Sequence, residues 1–293
     1  MTAQPQWPRS HHAPDPVSVP EQALQRTYGV LRVGWHERGL SSLYQEGAAK
    51  ARFPRPATAG VGDMVLINTA GGLTGGDRFQ QSVNVDGGHL VASTQAAEKL
   101  YRASAGVTRI TTRARVATGA TLEWLPQETI LFDGARCHRA LSVSLAPGAR
   151  LVAAEATVLG RTAMRERVRR GAFFDDWRIW LGDRLVYADG TRLAADADMD
   201  LQDVLARPAV LGGADAFATL VAVTPGAERM VADLQALGPV EGAVMGASHL
   251  PAGPDGLVLA RIVAHGGAAL RRQMLAVLDL VRGGAAAPRM WGL

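Results

Sequence analysis

Strict alternation of apolar and polar residues constrains the fold of this chain more than any other feature of its sequence. In the segment 108–116 the apolar positions are Ile110, Ala114 and Val116, and the positions between them include Arg109, Arg113 and Arg115. A period of two is that of a β-strand with one buried and one solvated face. The same pattern recurs at Tyr28–Trp35, Leu141–Leu145, Thr219–Thr224 and Leu257–Val263. The chain is therefore predicted to be mainly β.

A weak internal repeat accompanies these strands. Each copy consists of a strand, a glycine turn and a second strand, and the copies are Val83–Leu90, Ala114–Leu122 and Val143–Leu151. The turn glycines are Gly87, Gly119 and Gly148. Their spacing of roughly thirty residues favours stacked β-layers, as in a β-helix. The hairpins of an ordinary antiparallel meander would give the same pattern, so both folds remain open here.

Two α-helices are predicted near the C-terminus. The first, Ala227–Leu237, is preceded by Pro225-Gly226 and followed by Gly238-Pro239, which is common helix punctuation. The second has one apolar face and ends at Gly283-Gly284. The residues of that face are Leu270, Met274, Leu278 and Val281. Since no linker divides the rest of the chain, residues 26–293 are predicted to form a single stacked β-layer domain that carries these two helices.

The first 25 residues differ from the domain that follows. They are rich in Pro and Gln, contain His11-His12, and are predicted to be flexible. They lack the ordered basic, apolar and small residues of a signal peptide. The chain has one cysteine, Cys137, and no run of about eighteen apolar residues. We therefore expect a cytoplasmic protein with no membrane contact.

The net charge of +4 comes almost entirely from arginine, because Lys50 and Lys99 are the only lysines. Arginine is enriched at protein interfaces, where its planar guanidinium finds hydrogen-bonded partners. No helix-turn-helix, RRM or zinc-finger spacing accompanies the charge. The composition therefore favours a protein partner over nucleic acid.

The glycine-rich block Ala70–Arg78 resembles a phosphate-binding loop at first sight. Gly71 and Gly76 have the P-loop spacing, but Asp77-Arg78 stand where Lys-Ser/Thr is required. An aspartate there would repel phosphate, and the Rossmann spacing also fails. A GTP-binding protein is therefore disfavoured. Two glycine pairs instead indicate backbone with positive φ, or very close packing against another segment.

Catalytic and metal-cage motifs are missing from the sequence. It contains no Gly-x-Ser-x-Gly, no Cys-x-x-Cys and no His-x-x-x-His, so neither a nucleophile elbow nor a structural zinc site is supported. The adjacent pair Cys137-His138 would point to opposite faces of a strand and chelate one ion poorly.

Two alternatives remain open from the residues alone. One is a β-solenoid enzyme that acts on carbohydrate through paired carboxylates. The aromatic content of 5% and the missing secretion signal argue against it. The other is a solenoid scaffold with unrelated partners.

As a signature, the block Ala70–Arg78 strongly resembles the UreD (UreH) family of urease accessory proteins. Further stretches resemble the family in the same order: Tyr44–Pro54, Ser93–Arg102, Leu122–Ala135 and Pro288–Trp291. Together they span nearly the whole chain. The sequence departs from the family at Ala70, where many relatives carry proline, and this alters only the local stiffness.

The resemblance implies stacked β-layers with a pair of helices, and no catalysis by this chain. Relatives bind UreF, which recruits the nickel-carrying GTPase UreG, and the complex docks on urease apoprotein and delivers nickel to its active site. The resemblance implies no permanently bound cofactor. Nickel is instead in transit, and relatives are thought to guide it through an internal passage.

Such a passage needs exchangeable oxygen or nitrogen ligands, since tight cages would trap the ion. The carboxylates that follow the repeat turns, together with one from the glycine block, are the candidates. They are Asp77, Glu98, Glu128, Asp133 and Glu155, with Glu123 in the same layers. The opposing interpretation is that they form structural caps or ion pairs with neighbouring arginines.

Candidates for partner binding lie near the C-terminus. Arg271 and Arg272 flank the apolar stripe of the second predicted helix, and Met290 and Trp291 form an aromatic tail. The opposing interpretation is that the stripe packs into the core, as amphipathic helices usually do.

Overall fold

The fold was analysed in a computed structural model that describes residues 25–55, 58–161, 164, 166–195, 199–253 and 256–292. The segment predicted to be flexible, with His11-His12, lies outside these residues except for its last position. The strands are β1 (Tyr28–His36), β2 (Gly39–Gly47), β3 (Ala49–Arg52), β4 (Val61–Asn68), β5 (Arg78–Val85), β6 (His89–Thr94), β7 (Glu98–Leu100), β8 (Thr108–Val116), β9 (Thr121–Leu125), β10 (Thr129–Leu131), β11 (Arg136–Leu145), β12 (Arg150–Leu159), β13 (Ala172–Leu181), β14 (Arg184–Ala194), β15 (Ala216–Val223), β16 (Ala243–Leu250) and β17 (Leu257–Ala264). The helices are α1 (Leu201–Leu205), α2 (Ala227–Ala236) and α3 (Gly267–Val281), and a short 3-10 helix covers Arg289–Trp291.

The strands form two sheets. Sheet A has the order β14-β13-β11-β8-β5-β1-β2, and sheet B has the order β16-β17-β15-β12-β9-β6-β4-β3, with β7 and β10 attached beside β12. From β4 to β13 the long strands alternate between the sheets, and neighbours from successive passes are parallel. Antiparallel strands such as β2 and β15 border this parallel part. The result is a two-sheet β-helix.

The internal repeat corresponds to successive turns of this β-helix. In sheet A, Val83 lies beside Ala114, and Ala114 lies beside Val143. In sheet B, Leu90 lies beside Leu122, which lies beside Leu151. These pairings are parallel, so stacked layers are confirmed and the antiparallel meander is wrong for this part of the chain.

The turns of the repeat depend on glycines in the left-handed region. Gly119 and Gly148 have φ of 75° and 77°. In the first copy Gly87 lies in the turn as predicted, and the left-handed residue is the following Gly88, with φ of 73°. A residue without a Cβ adopts this conformation at little cost, which explains the glycine at each turn.

Two hydrophobic cores lie on the two sides of sheet B. The first core fills the space between the sheets and includes Val83, Leu122 and Ile179. The second lies between sheet B and helices α2 and α3, and includes Leu125 and Leu278. The alternation of strand β8 is confirmed, because its apolar residues are buried and its arginines are exposed.

The two predicted helices are confirmed. Helix α2 begins at the predicted residue and ends one residue before the predicted end, and α3 ends at Val281, just before the predicted glycine stop. The short helix α1 was not predicted. The side chain of Asp200 caps α1 by accepting a hydrogen bond from the Gln202 amide. The apolar stripe of α3 is buried in the second core, so the core-packing interpretation of that stripe is correct. None of the helices within the described ranges has the length and apolar character needed to cross a membrane.

The glycine block combines positive φ with close packing. Gly71 and Gly76 have φ of 73° and 93°. Gly75 has no such strain, but a Cβ at this position would lie far inside van der Waals contact with the carbonyl oxygen of Ala105. Both explanations offered by the sequence therefore apply, at different glycines of the same block.

The variant Gly75→Ala tests the close packing. We expect it to lower the free energy of unfolding by about 3 kcal/mol, because the two loops must separate to admit a methyl group. Gly119→Ala is the matched control. Its Cβ would meet no atom within 4 Å, so only the left-handed backbone is penalised, by about 1 kcal/mol. Denaturant unfolding of both variants checks the order, and a larger loss for Gly119→Ala would contradict it.

Candidate functional site

The predicted carboxylates separate into two groups in the structure. Glu98 and Glu155 face the space between the two sheets. Asp77, Glu128 and Asp133 bind partners elsewhere. The structure therefore brings only part of the predicted set towards one interior region.

Glu98 begins strand β7 and lines a pocket of about 250 Å³. Both of its carboxylate oxygens accept hydrogen bonds from Asn68 Nδ2, at 3.0 and 3.2 Å. The pocket is lined from sheet A by Leu31, Phe79 and Gln81 and from sheet B by Leu66, Asn68 and Thr94. Burial raises the pKa of Glu98 to about 7, although the hydrogen bonds from Asn68 oppose this shift.

Arg139 is the centre of the interior charges. It lies on β11, 5% exposed, and donates to both carboxylate oxygens of Asp175, from Nε at 3.0 Å and from Nη2 at 2.7 Å. Its Nη1 donates to the hydroxyl of Thr129 at 3.0 Å. Its Nε also lies 2.9 Å from Oε2 of Glu155. One guanidinium is therefore shared by two buried carboxylates, and one negative charge stays uncompensated when both are ionised.

Glu155 is the less strongly bound of these two carboxylates. Its Oε1 accepts a hydrogen bond from Trp124 Nε1 at 3.1 Å, whereas its Oε2 is paired with Arg139 by charge and has no hydrogen bond within the described part of the chain. Burial raises the pKa of Glu155; the nearby Arg139 opposes the shift and Asp175 adds to it.

Threonines connect the two ends of this interior region. Thr129 on β10 lies in register with Glu98 on β7 and with Thr157 on β12. The hydroxyl of Thr157 is buried and has no hydrogen-bond partner among the residues described. We name the whole set the interior seam, and it consists of Asn68, Glu98, Thr129, Arg139, Glu155, Thr157 and Asp175.

Asp77 and Asp133 satisfy backbone amides in turns. Asp77 accepts from the amides of Thr27 and Thr74, each at 2.8 Å, and so holds the glycine block to the start of the domain. Asp133 accepts from the amides of residues 169 and 170, at 2.7 and 2.8 Å. These contacts are the structural caps of the opposing interpretation, and a metal contact by either residue stays a prediction.

Glu128 faces helix α3 instead of the seam. Its carboxylate lies 3.1 Å from Nη1 of Arg271, and its side chain is about 10% exposed. Glu123, in the same layer, is bound by His89 at 2.8 Å and by Arg282 at 2.5 Å. Both carboxylates join sheet B to α3 and its C-terminal neighbours.

The residues predicted to bind partners also differ in their accessibility. Trp291 is 1% exposed and donates from Nε1 to the carbonyl of Leu125 at 2.9 Å. Arg271 holds it there by donating to its carbonyl at 2.7 Å. Arg272 is exposed and Met290 is half-buried. Arg271 is also partly exposed, so only Trp291 is withheld from the surface, and partner binding by any of the four stays a prediction.

Sequence reasoning missed Arg139 and Asp175. Each is a charged residue at a buried position of an alternating strand, between Cys137 and Leu141 on β11 and between Phe173 and Trp177 on β13. The available signal was a charged residue at a strand position whose side chain should face the core. It marks a buried residue that needs a partner.

The pair Cys137-His138 behaves as the sequence predicts. Cys137 is fully buried, and burial raises the pKa of its thiol. His138 lies on the opposite face, with Nε2 at 2.7 Å from Oδ2 of Asp176. Within the ranges the structure describes, no group of three or more His, Cys, Asp or Glu side chains is placed to hold a metal ion.

The structure thus defines a two-sheet β-helix whose interior carboxylates share one arginine, and a fold alone does not specify a function. Comparison with known proteins specifies the class. Residues 28–292 match the family model described as UreD urease accessory protein. The chain belongs to this family, whose members are accessory proteins of urease and not enzymes.

Curated relatives agree with this assignment. A urease accessory protein UreD from Sinorhizobium medicae is 42% identical over 92% of this chain and 98% of its own length. One from Rhizobium etli is 46% identical over 87% of this chain and 89% of its own length. A protein named urease accessory protein UreD 1, from Brucella abortus, is 44% identical over 86% of this chain and 88% of its own length.

The raised pKa of Glu98 predicts a pH-dependent stability. Between its ordinary value of 4.5 and about 7, the folded protein holds a proton that the unfolded chain has released. Stability therefore falls as the pH rises through this range, by up to about 3 kcal/mol. We expect Glu98→Gln to remove this part of the pH dependence and to leave the part due to Glu155, whose pKa burial also raises, and urea unfolding at several pH values checks it. The exposed carboxylate variant Glu228→Gln should retain the pH dependence of the wild type.

Neighbouring arginines on α3 provide a second matched pair. Arg271→Ala leaves the buried carboxylate of Glu128 unpaired and should lower the free energy of unfolding by about 2 kcal/mol. Arg272→Ala removes one exposed side chain and should change it by less than about 0.5 kcal/mol. Thermal and denaturant unfolding measure both. Equal losses would show that the Glu128 contact does not stabilise α3.

Proposed function

We propose that this chain is a non-catalytic scaffold of urease maturation. In this proposal it binds UreF, UreG and urease apoprotein, and nickel crosses its interior on the way to the urease active site. The observation that carries the passage is the interior seam, a continuous set of polar groups between two apolar sheets. Its nature as an accessory protein follows from the family, while partners and passage are the proposal.

The donor set of the seam suits a divalent ion in transit. It supplies carboxylate oxygens from Glu98 and Glu155 and hydroxyl oxygens from Thr129 and Thr157, which are exchangeable ligands and not thiolates that would hold nickel firmly. Oε2 of Glu155 and Oγ1 of Thr157 lack hydrogen-bond partners among the described residues, so both oxygens are available without breaking one.

Arg139 is the obstacle to such a passage. A guanidinium among buried groups repels an approaching dication. Arg139 makes two hydrogen bonds to Asp175, but only a charge contact with Glu155. We therefore place Glu155 as the carboxylate that turns to nickel while Asp175 keeps the arginine. Asp175 would then serve as the fixed counter-ion of the seam.

The carbohydrate-enzyme alternative gains no support from the geometry. The side chains of Glu155 and Asp175 are 4% and 7% exposed and share one arginine. A sugar ring does not reach carboxylates buried in this way. Family membership also assigns the chain to accessory proteins.

The decisive experiment is to co-express a urease operon with and without this chain and to measure the nickel bound to purified urease. We expect nickel content and urease activity to fall together without the chain, because apoprotein would then lack its delivery scaffold. Equal nickel in both preparations would refute the proposal.

Conservative variants then test the passage. Glu155→Gln should reduce nickel loading by about tenfold while the complexes still assemble, since one transient ligand loses its charge. Glu228→Gln is the matched control, because it makes the same change at an exposed carboxylate of α2 that lies outside the seam. Normal loading with Glu155→Gln would exclude Glu155 from the route.

A further inference from the structure

The outward surface of sheet A carries a concentration of arginines that the interior seam does not explain. We call this surface the basic face. Its arginines are exposed and come from six adjacent strands: Arg32, Arg78, Arg109, Arg113, Arg115, Arg136, Arg178 and Arg192. Their neighbours along each strand point inward, so the alternation that builds the core also sorts the arginines onto one surface.

Serines separate some of these arginines across the sheet, and two of the guanidinium groups rest on neighbours: that of Arg32 lies over the Tyr44 ring, and that of Arg178 donates to backbone carbonyl oxygens. Arg32, Arg113 and Arg178 belong to one row across the sheet. The positions between them in that row are Ser82 and Ser142. Neither serine can cover an arginine side chain, and a broad partner can approach without obstruction.

Carboxylates on this face are few and already engaged. Asp176 is bound by both His138 and Arg192. Asp86 pairs with Arg115 at 3.4 Å. Glu46 accepts hydrogen bonds from the tyrosine hydroxyls at positions 28 and 44. The surface therefore keeps a strong positive excess.

Six arginines of the basic face have no carboxylate within ion-pairing distance in the described part of the chain; Arg32 and Arg178 are two of them, and the other four lie on its central strands. These four are Arg78, Arg109, Arg113 and Arg136. They lie on the three neighbouring strands β5, β8 and β11, at the centre of the sheet. Repulsion among clustered positive charges destabilises the folded state, and the binding of an anionic partner reduces that repulsion.

No described helix covers this surface. Helices α2 and α3 pack against strands of sheet B, and the short α1 contacts only the edge strand β14 of sheet A. Among the described residues, no helix therefore covers the outward side of β5, β8 and β11. A sheet face that carries unpaired arginines and no covering element is available to another molecule.

From this arrangement we infer that the basic face docks a carboxylate-rich protein surface in the urease maturation assembly. The inference rests on the proposed function for the identity of that assembly, and on charge complementarity for the chemistry. Guanidinium groups match carboxylates in bidentate geometry. A flat array of eight fits a broad acidic surface better than a single small ligand.

Nucleic acid fits the same surface less well. Single-stranded nucleic acid needs aromatic platforms for its bases, and the central strands β5, β8 and β11 present no outward Phe, Tyr or Trp. The aromatic residues of the face lie on its outer strands, where Arg192 covers Phe174 and Arg32 covers Tyr44, and where Tyr28 and Trp180 are exposed. A duplex is read by elements that enter a groove, and this face is a flat sheet. An acidic protein surface is therefore the occupant to test.

The test is a charge variant with a matched control. Arg109→Gln, Arg113→Gln and Arg136→Gln together remove three unpaired charges from the basic face. The control combines Arg150→Gln, Arg207→Gln and Arg229→Gln, which removes three exposed charges that lie outside sheet A. Thermal unfolding should show that both triple variants fold like the wild type, because none of the six side chains is buried.

The readout is co-purification of the tagged chain with co-expressed urease apoprotein and accessory proteins, at about 50 mM and about 300 mM salt. At low salt, we expect the basic-face variant to retain at least about tenfold less of the partner proteins than the wild type does. The amount that it retains should also change much less between the two salt concentrations. The control should behave like the wild type. Unchanged binding by the basic-face variant, or an equal loss in the control, would overturn the inference.

A second arm separates the alternatives. Fluorescence anisotropy with a single-stranded DNA and an RNA hairpin, at about 150 mM salt, should show only weak binding. Tight oligonucleotide binding that the basic-face variant loses would assign the face to nucleic acid and overturn the inference.

If urease loads nickel normally without the chain, the proposed function fails. If it needs the chain but the variant assembles normally, only the docking inference fails.

Discussion

In-register stacking of parallel strands is the constraint on which the rest of this structure depends. Each turn of the β-helix places its inward residues beside those of the turn before, which creates ladders such as Leu90, Leu122 and Leu151. A slip of one residue would send every ladder to the outer face. The same register aligns the outward arginines of sheet A. Core and surface are therefore two consequences of one alignment.

The interior seam is where this ladder of apolar residues is interrupted. Replacing a buried ion pair with apolar residues is often neutral or stabilising, so Arg139 and its two carboxylates are not needed for stability alone. The pairing is also unequal, because Asp175 holds the guanidinium by two hydrogen bonds and Glu155 does not. Glu155 is therefore the carboxylate with fewer hydrogen bonds to Arg139, although its Oε2 lies only 2.9 Å from Nε, and in the proposed passage it would be the one to change partner.

Much of the architecture could be predicted from sequence, because alternation and repeat spacing are local patterns. These patterns predict both ends of strand β8 correctly and distinguish its buried face from its exposed face. The fate of individual carboxylates could not be predicted in this way. Glu128 and Thr129 are adjacent, yet one faces α3 and the other faces the seam, and the difference depends on the phase of the three-residue strand β10. The pairing of Arg139 with Asp175 joins strands 36 residues apart, which only the folded register specifies.

The two sheets show how outward chemistry determines what covers a face. The outward side of sheet B is apolar at Val91, Leu125 and Ala156, and the chain covers it with its own helices. The outward side of sheet A is basic, and the described helices leave its central strands bare. An apolar stripe on α3 could not have satisfied guanidinium groups, so the helices had only one face on which to pack. A complement for the arginines must supply carboxylates in quantity, and the few on this face are already engaged. The two sheets thus differ in what their outward faces do. The helices that cover sheet B stabilise the fold, whereas the basic face of sheet A is the surface on which we infer that a partner docks.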